Sequence, residues 1–144
     1  MGIINRKALG FHSGLEEATM ENLKSRGVKY EYESMKIPYV DDTIHYYTPD
    51  FILPNGIIIE TKGYFTPQDR VKHLRIKKQY PIDYHIRFVF KNSKNRLSSK
   101  SKTTYGMWCE KYGFLYADGS IPDAWIKEKK RKPKEPLRVR DPQT

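Results

Sequence analysis

The chain has 144 residues, and its 27 Lys and Arg against 17 Asp and Glu leave a net charge of +10. That length fits one domain with tails, and an apolar content of 38% with 13% aromatics can build a core, which excludes a chain disordered throughout. Also excluded are a membrane-spanning helix of ~18–20 apolar residues, an N-terminal signal peptide, and, because Cys109 is the one cysteine, an internal disulfide framework or multi-cysteine zinc site. The cytosol is the default compartment. A pI near 9.6 favours a polyanionic partner, most simply nucleic acid.

Residues 1–12 read as a basic arm carrying Arg6, Lys7 and His12. A helix begins at Ser13, which has Glu16 three residues on in the capping-box pattern. Leu15, Ala18 and Leu23 roughly follow helical spacing and Gly27 ends the helix. Val28, Tyr30 and Tyr32 then alternate with charged residues, which predicts a strand. Met35, Ile37 and Tyr39 continue on the other parity, so a bulge is expected near Ser34, and Pro38 marks an edge or a strand end. Val40 to Thr48 is either a long hairpin connection or an extended linker.

Phe51–Leu53 and Ile57–Ile59 flank Pro54-Asn55-Gly56, a strong hairpin signal. Thr66-Pro67-Gln68-Asp69 starts a helix that runs to about Gln79. Tyr84, Ile86, Phe88 and Phe90 alternate as a strand, so the order strand, helix, strand predicts a crossover to a parallel neighbour. A short helix over Thr104–Tyr112 stops at Gly113, a strand follows over Phe114–Ala117, and a helical turn over Pro122–Ile126. The fold class is mixed α/β, one sheet flanked by helices, with a domain over 13–126 and a basic tail over 127–144. His73 and His85 read as surface or sheet-face residues, and Trp108 and Trp125 as core or interface anchors.

The positive charge is clustered. Residues 127–144 carry eight basic and three acidic groups. Lys91, Lys94, Arg96, Lys100 and Lys102 lie in a Ser- and Asn-rich stretch without an acid. Both segments suit a path along phosphates, although charge runs are also common on solvated surfaces.

The chemistry-bearing stretch is Pro49-Asp50, nine residues, then Glu60-Thr61-Lys62. Glu60 and Lys62 share a strand face. A two-residue Asn-Gly loop would pair Asp50 with Thr61 and put it on the other face. A three-residue Pro54-Asn55-Gly56 loop pairs Asp50 with Glu60. Two opposed carboxylates resist double ionisation, and a divalent cation relieves the repulsion. Such an oxygen-rich site suits Mg²⁺, which also takes phosphate oxygens. Lys62 beside it is placed to hold the attacking water or an anionic transition state, with a pKa lowered by neighbouring cations. The alternative is a solvated strand face. Glu16 has two readings as well: a capping-box partner, or a ligand to a second metal projecting toward Asp50 and Glu60, and one carboxylate does not easily do both.

With these residues in view, the chain resembles the bacteriophage endonuclease I family, Holliday-junction resolving enzymes on the restriction-endonuclease-like nuclease core. The resemblance runs from about Gly10 to Lys127. It rests on Ser13-Gly14-Leu15-Glu16, Lys36-Ile37-Pro38-Tyr39-Val40, Tyr47-Thr48-Pro49-Asp50-Phe51, Leu53-Pro54-Asn55-Gly56-Ile57 and Glu60-Thr61-Lys62-Gly63. Tyr105-Gly106, Cys109-Glu110-Lys111, Ile121-Pro122 and Ala124-Trp125-Ile126-Lys127 complete it.

The resemblance implies a structure-selective DNA endonuclease, phage-encoded and acting in the host cytoplasm. It would cut four-way and other branched DNA by metal-dependent hydrolysis to a 5′-phosphate and a 3′-hydroxyl. Asp50, Glu60 and the Thr61 backbone carbonyl would bind the catalytic Mg²⁺, Glu16 would complete the site at a second ion, and Lys62 would assist the water. Mn²⁺ would substitute. Family members are intertwined homodimers, which implies Glu16 acting in trans and residues 40–48 as the bridge between halves. Arg6, Lys7, His12, Ser13 and the five cations of the 91–102 loop are the candidate DNA contacts. Competing readings are another endonuclease of the same core, sequence-directed or general, and a non-catalytic basic DNA-binding protein.

Overall fold

A computed structural model describes residues 14–130. The expected basic arm, with Arg6, Lys7 and His12, the cap Ser13, and the tail beyond residue 130 lie outside the described residues.

Helix α1 spans Gly14–Ser25 and buries Glu16, Thr19 and Leu23, one stripe at three- and four-residue spacing. Gly27 (φ +66°) terminates it, with the Val28 N–H donating to the Leu23 carbonyl. Strand β1 is short, Glu31–Tyr32. The expected continuation through a bulge at Ser34 does not occur. Glu33 takes a left-handed backbone (φ +48°) while its N–H donates to the Asp50 carbonyl at 3.0 Å, and the chain leaves the sheet. It enters a separate ribbon of β2 (Ile37–Asp41) and β3 (Thr43–Tyr47), which pair antiparallel around Asp42 (φ +64°). The segment open between connection and linker is therefore a hairpin in this chain. Met35, Ile37 and Tyr47 are buried with Ile58 and Ile76, which is the packing that draws this strand away from β1. Pro38 sits in a strand paired on one side only, the edge position expected of it.

The main sheet adds β4 (Phe51–Ile52), β5 (Ile58–Lys62), β6 (Ile86–Phe90) and β7 (Tyr116–Asp118), in the order β1-β4-β5-β6-β7. The pairs β5–β6 and β6–β7 are parallel and the other two antiparallel. Helix α2 (Pro67–Gln79) makes the predicted crossover between β5 and β6, opened by a full capping box of Thr66 and Asp69. Helix α3 (Tyr105–Tyr112) is capped by Thr104 and closed by Gly113 (φ +78°), and α4 is Asp123–Ile126. Strand β6 starts two residues after Tyr84 and β7 two residues after Phe114. Among the described residues no helix is long and apolar enough to cross a membrane.

The alternation of β5 divides the core. Ile57 and Ile59 pack with Leu23 of α1 and Trp125 of α4, whereas Ile58 packs with Ile76 of α2 and the ribbon. An aromatic cluster of Phe65, Phe88, Phe90, Tyr105, Trp108 and Phe114 fills the α3 side. Both tryptophans are core residues, as expected. His73, expected at the surface or on a sheet face, instead lies in α2 and points into the core. It is fully buried between Tyr47 and Phe88, with ring centroids at 5.0 and 4.8 Å, and neither ring nitrogen has a hydrogen-bond partner. Burial holds its pKa well below the usual histidine value, so it is a neutral aromatic in the core. Beyond α4 the chain remains attached. Glu128 forms a two-pronged pair with the buried Arg87, whose guanidinium lies 5.2 Å from the Trp125 ring centre.

Asn55 ties the hairpin loop to this end of the chain. Its amide donates to the carbonyls of Trp125 (2.7 Å) and Glu128 (3.2 Å), and its oxygen accepts from the Ile57 N–H (3.2 Å). Because Asn55 is buried, Asn55→Ala strands these backbone groups. The expected loss of stability is about 2–3 kcal/mol, measurable by urea denaturation; a loss near zero would show that the loop is held by other contacts.

Candidate active site

Whether Asp50 and Glu60 meet is decided by the loop between β4 and β5. The pairs Phe51–Ile59 and Ile52–Ile58 continue to place Asp50 opposite Glu60. The Leu53 N–H donates to the Ile57 carbonyl, and Gly56 occupies the left-handed region (φ +89°). The loop is thus Pro54-Asn55-Gly56, the three-residue alternative, because Gly56 accepts a conformation that side chains resist.

Asp50 is held by β5 itself. Its Oδ2 accepts from the Thr61 N–H (2.9 Å) and the Thr61 hydroxyl (2.8 Å). Glu60 Oε1 accepts from the Tyr47 hydroxyl (2.8 Å) and the Asp50 N–H (3.4 Å). Lys62 Nζ lies 3.6 Å from Glu60 Oε2 and 3.1 Å from Asp69 Oδ1 at the start of α2. The three sequence-predicted residues therefore share one cleft of about 570 Å³, whose wall includes Glu16, Glu33 and Tyr64.

Glu16 reaches this cleft from α1 of the same chain. It is buried, and its Oε1 accepts from the Tyr32 hydroxyl. Oxygens of Glu16, Glu33 and Asp50 all lie within 4.8 Å of one another, so Glu16 joins the acidic site. Its capping partner Ser13 lies outside the described residues. Glu33 was missed by sequence reasoning. In Glu31-Tyr32-Glu33 nothing local separates it from the exposed Glu31; the left-handed turn that aims it inward emerges only with the fold. Thr61 contributes its N–H and hydroxyl to Asp50, a role the sequence did not suggest.

The electrostatics follow from crowding acids into a half-closed space. Burial pushes Asp50 up, against the lowering pull of its Thr61 hydrogen bonds and Lys62. Burial and the charge of Asp50 push Glu60 up to about 8. Burial pulls Lys62 down, but Glu60, Asp69 and Asp50 outweigh it and leave its pKa raised. That corrects the expectation of a lowered Lys62, since carboxylates and not cations dominate its surroundings. A divalent cation fits this donor set. The oxygens are hard, converge from separate elements, and repel one another without a counter-charge.

A raised carboxyl pKa gives a definite sign. With Glu60 above its unfolded value, the metal-free folded state binds more protons, so stability falls as pH rises from about 4.5 toward 8. The neutral His73 acts oppositely, costing stability as pH falls below 6.5. Between pH 6.5 and 8 the metal-free melting temperature is therefore expected to drop, and Glu60→Gln to remove most of that slope. Calorimetry on both proteins checks this; equal slopes would mean that Glu60 is already ionised.

The match to known proteins covers nearly the whole chain. The family model for phage endonuclease I matches residues 2–141. The chain is 50% identical over 127 residues to Endonuclease I of Escherichia phage T7, covering 88% of this chain and 85% of that protein. It is 52% identical over 122 residues to Endodeoxyribonuclease 1 of Enterobacteria phage T3, covering 84% and 80%. With a matching family model and two relatives at this identity across most of their length, the chain belongs to the phage endonuclease I family.

Proposed function

We propose that this protein is a metal-dependent DNA endonuclease, phage-encoded, that resolves four-way and other branched junctions. The observation that carries the reading is the convergence of Asp50, Glu60 and Lys62 in one cleft of a basic protein, with Glu16 and Glu33 beside them. In it Asp50, Glu60 and the Thr61 carbonyl would hold one Mg²⁺ and Glu16 would help hold a second, with Mn²⁺ as a substitute. Cations bound there supply Lewis acidity toward the scissile phosphate and lower the pKa of bound water.

The chain's own groups do the rest. Tyr47 and the Asp50 N–H fix one oxygen of Glu60, leaving Oε2 toward the cleft. Thr61 fixes Oδ2 of Asp50 in the same way. Lys62, charged at neutral pH, lines the cleft and would donate to the attacking water or to a non-bridging oxygen. The products are a 5′-phosphate and a 3′-hydroxyl.

One feature supports selection by shape. Lys91, Lys94, Arg96, Lys100 and Lys102 are all exposed. Their loop leaves β6 beside the site, where the Lys91 N–H donates to the Lys62 carbonyl (3.2 Å), and Ser93 is pinned by both oxygens of Asp118. Phosphate contacts from such a loop position a branch without reading sequence. The β2–β3 ribbon is a sheet of its own, packed on the core through Ile37 and Tyr47, with Val40 and Ile44 exposed. In the homodimer that the resemblance implies, this ribbon would open so that residues 40–48 bridge the halves, and Glu16 would serve the partner's site in place of the within-chain arrangement.

The test is cleavage of a labelled four-way junction against its linear arms, with Mg²⁺ and with chelator. Cutting of the junction alone, with kcat lowered about 10²–10³-fold in Lys62→Ala, is expected. Equal cutting of linear arms would move the protein to a general nuclease, and binding without cutting to a DNA-binding protein. Neutralising Lys91, Lys94 and Arg96 together should flatten the salt dependence of junction binding, by about 0.9 in log–log slope per lost phosphate contact. An unchanged slope would remove the loop from the interface.

A further inference from the structure

Lys62 ends a flexible four-carbon stem, yet it must stay off Glu60 for that carboxylate to be available. The group that holds it is Asp69, which belongs to neither strand of the site. Asp69 Oδ1 takes Lys62 Nζ at 3.1 Å, nearer than the 3.6 Å to Glu60 Oε2. The other oxygen, Oδ2, accepts the Thr66 N–H at 3.0 Å, while the Asp69 N–H donates to the Thr66 hydroxyl at 3.0 Å. The carboxylate is thereby fixed in both position and rotation by the capping box of α2. Lys72, one turn along, lies 3.9 Å from the same Oδ1.

We propose that Asp69 is the positioning residue for Lys62: the N-terminal cap of α2 doubles as the anchor that keeps the lysine from closing onto Glu60. The inference rests on the nuclease reading above and adds a residue to it. Without the Asp69 charge, Glu60 becomes the nearest anion for Nζ, and the lysine then competes with a cation for that oxygen. Groups outside the immediate ligand set act in this manner by orienting those within it.

Asp69→Asn keeps an oxygen for the Thr66 N–H but removes the charge. Thr66→Ala does the reverse, removing the hydroxyl of the cap and leaving the Asp69 carboxylate. Both proteins and the wild type are compared by melting temperature, by Mn²⁺ binding without DNA followed by electron paramagnetic resonance, and by single-turnover junction cleavage. Asp69→Asn is expected to weaken Mn²⁺ binding and slow cleavage, each by about 10–100-fold, with little change in melting. Thr66→Ala is expected to melt lower and to bind Mn²⁺ as the wild type does. Asp69→Glu should recover part of the loss. Unchanged Mn²⁺ affinity and cleavage in Asp69→Asn would overturn the assignment, as would a loss in Thr66→Ala equal to that in Asp69→Asn. A wild type that cuts no DNA would instead overturn the nuclease reading, and the Mn²⁺ isotherms would still decide the role of Asp69.

Discussion

Asp50 and Glu60 oppose each other because three residues, and not two, close the hairpin between them. A slip of one position would turn Asp50 to the other face of the sheet. The register is fixed by local chemistry: Gly56 accepts a left-handed backbone, Asn55 anchors the loop to carbonyls in and just beyond α4, and Leu53 pairs with Ile57. From that register the rest follows in order. Asp50 meets Thr61, Glu60 meets Tyr47, and Lys62 is brought to the start of α2.

The cleft stores unfavourable electrostatics that the surrounding fold sustains. Burial raises the pKa values of both Glu60 and Asp50, the charge of Asp50 raises Glu60 further, and Lys62 and Lys72 offset only part of this for Glu60. Neutral hydrogen-bond donors, the Tyr47 hydroxyl and the Thr61 N–H and hydroxyl, fix one oxygen of each acid without adding positive charge. The arrangement suits a site that takes up cations, because a site neutralised by Arg or further Lys would have little demand for them. The core behind it is apolar and aromatic and includes a histidine whose ring nitrogens are unpartnered.

Much of this was legible in the sequence, where local signals were redundant. Helix α2 was marked by cap, proline and acid together, and the hairpin by Asn-Gly between apolar runs. The crossover followed from element order. What failed depended on contacts distant along the chain. Nothing in Glu33 announces a left-handed turn, since the bond that accompanies it runs to Asp50. His73 reads as a surface or sheet-face residue in a helix otherwise rich in charge; Tyr47, Phe88 and Phe114, all distant along the chain, make it core. Glu16 was ambiguous for the same reason: the first turn of a helix explains an acid by itself, and the Tyr32 hydroxyl that holds it lies in another element. The family resemblance favoured the site reading of Glu16, and the fold brings it beside Asp50, but neither spacing nor resemblance pointed to Glu33.

The most direct test of the account is anomalous diffraction from crystals of the protein grown with Mn²⁺. A peak is expected in the cleft within bonding reach of the Asp50 and Glu60 carboxylates, absent from crystals of Asp50→Ala. A cleft without a peak, under conditions where Mn²⁺ supports DNA cleavage, would contradict it and place the metal chemistry elsewhere.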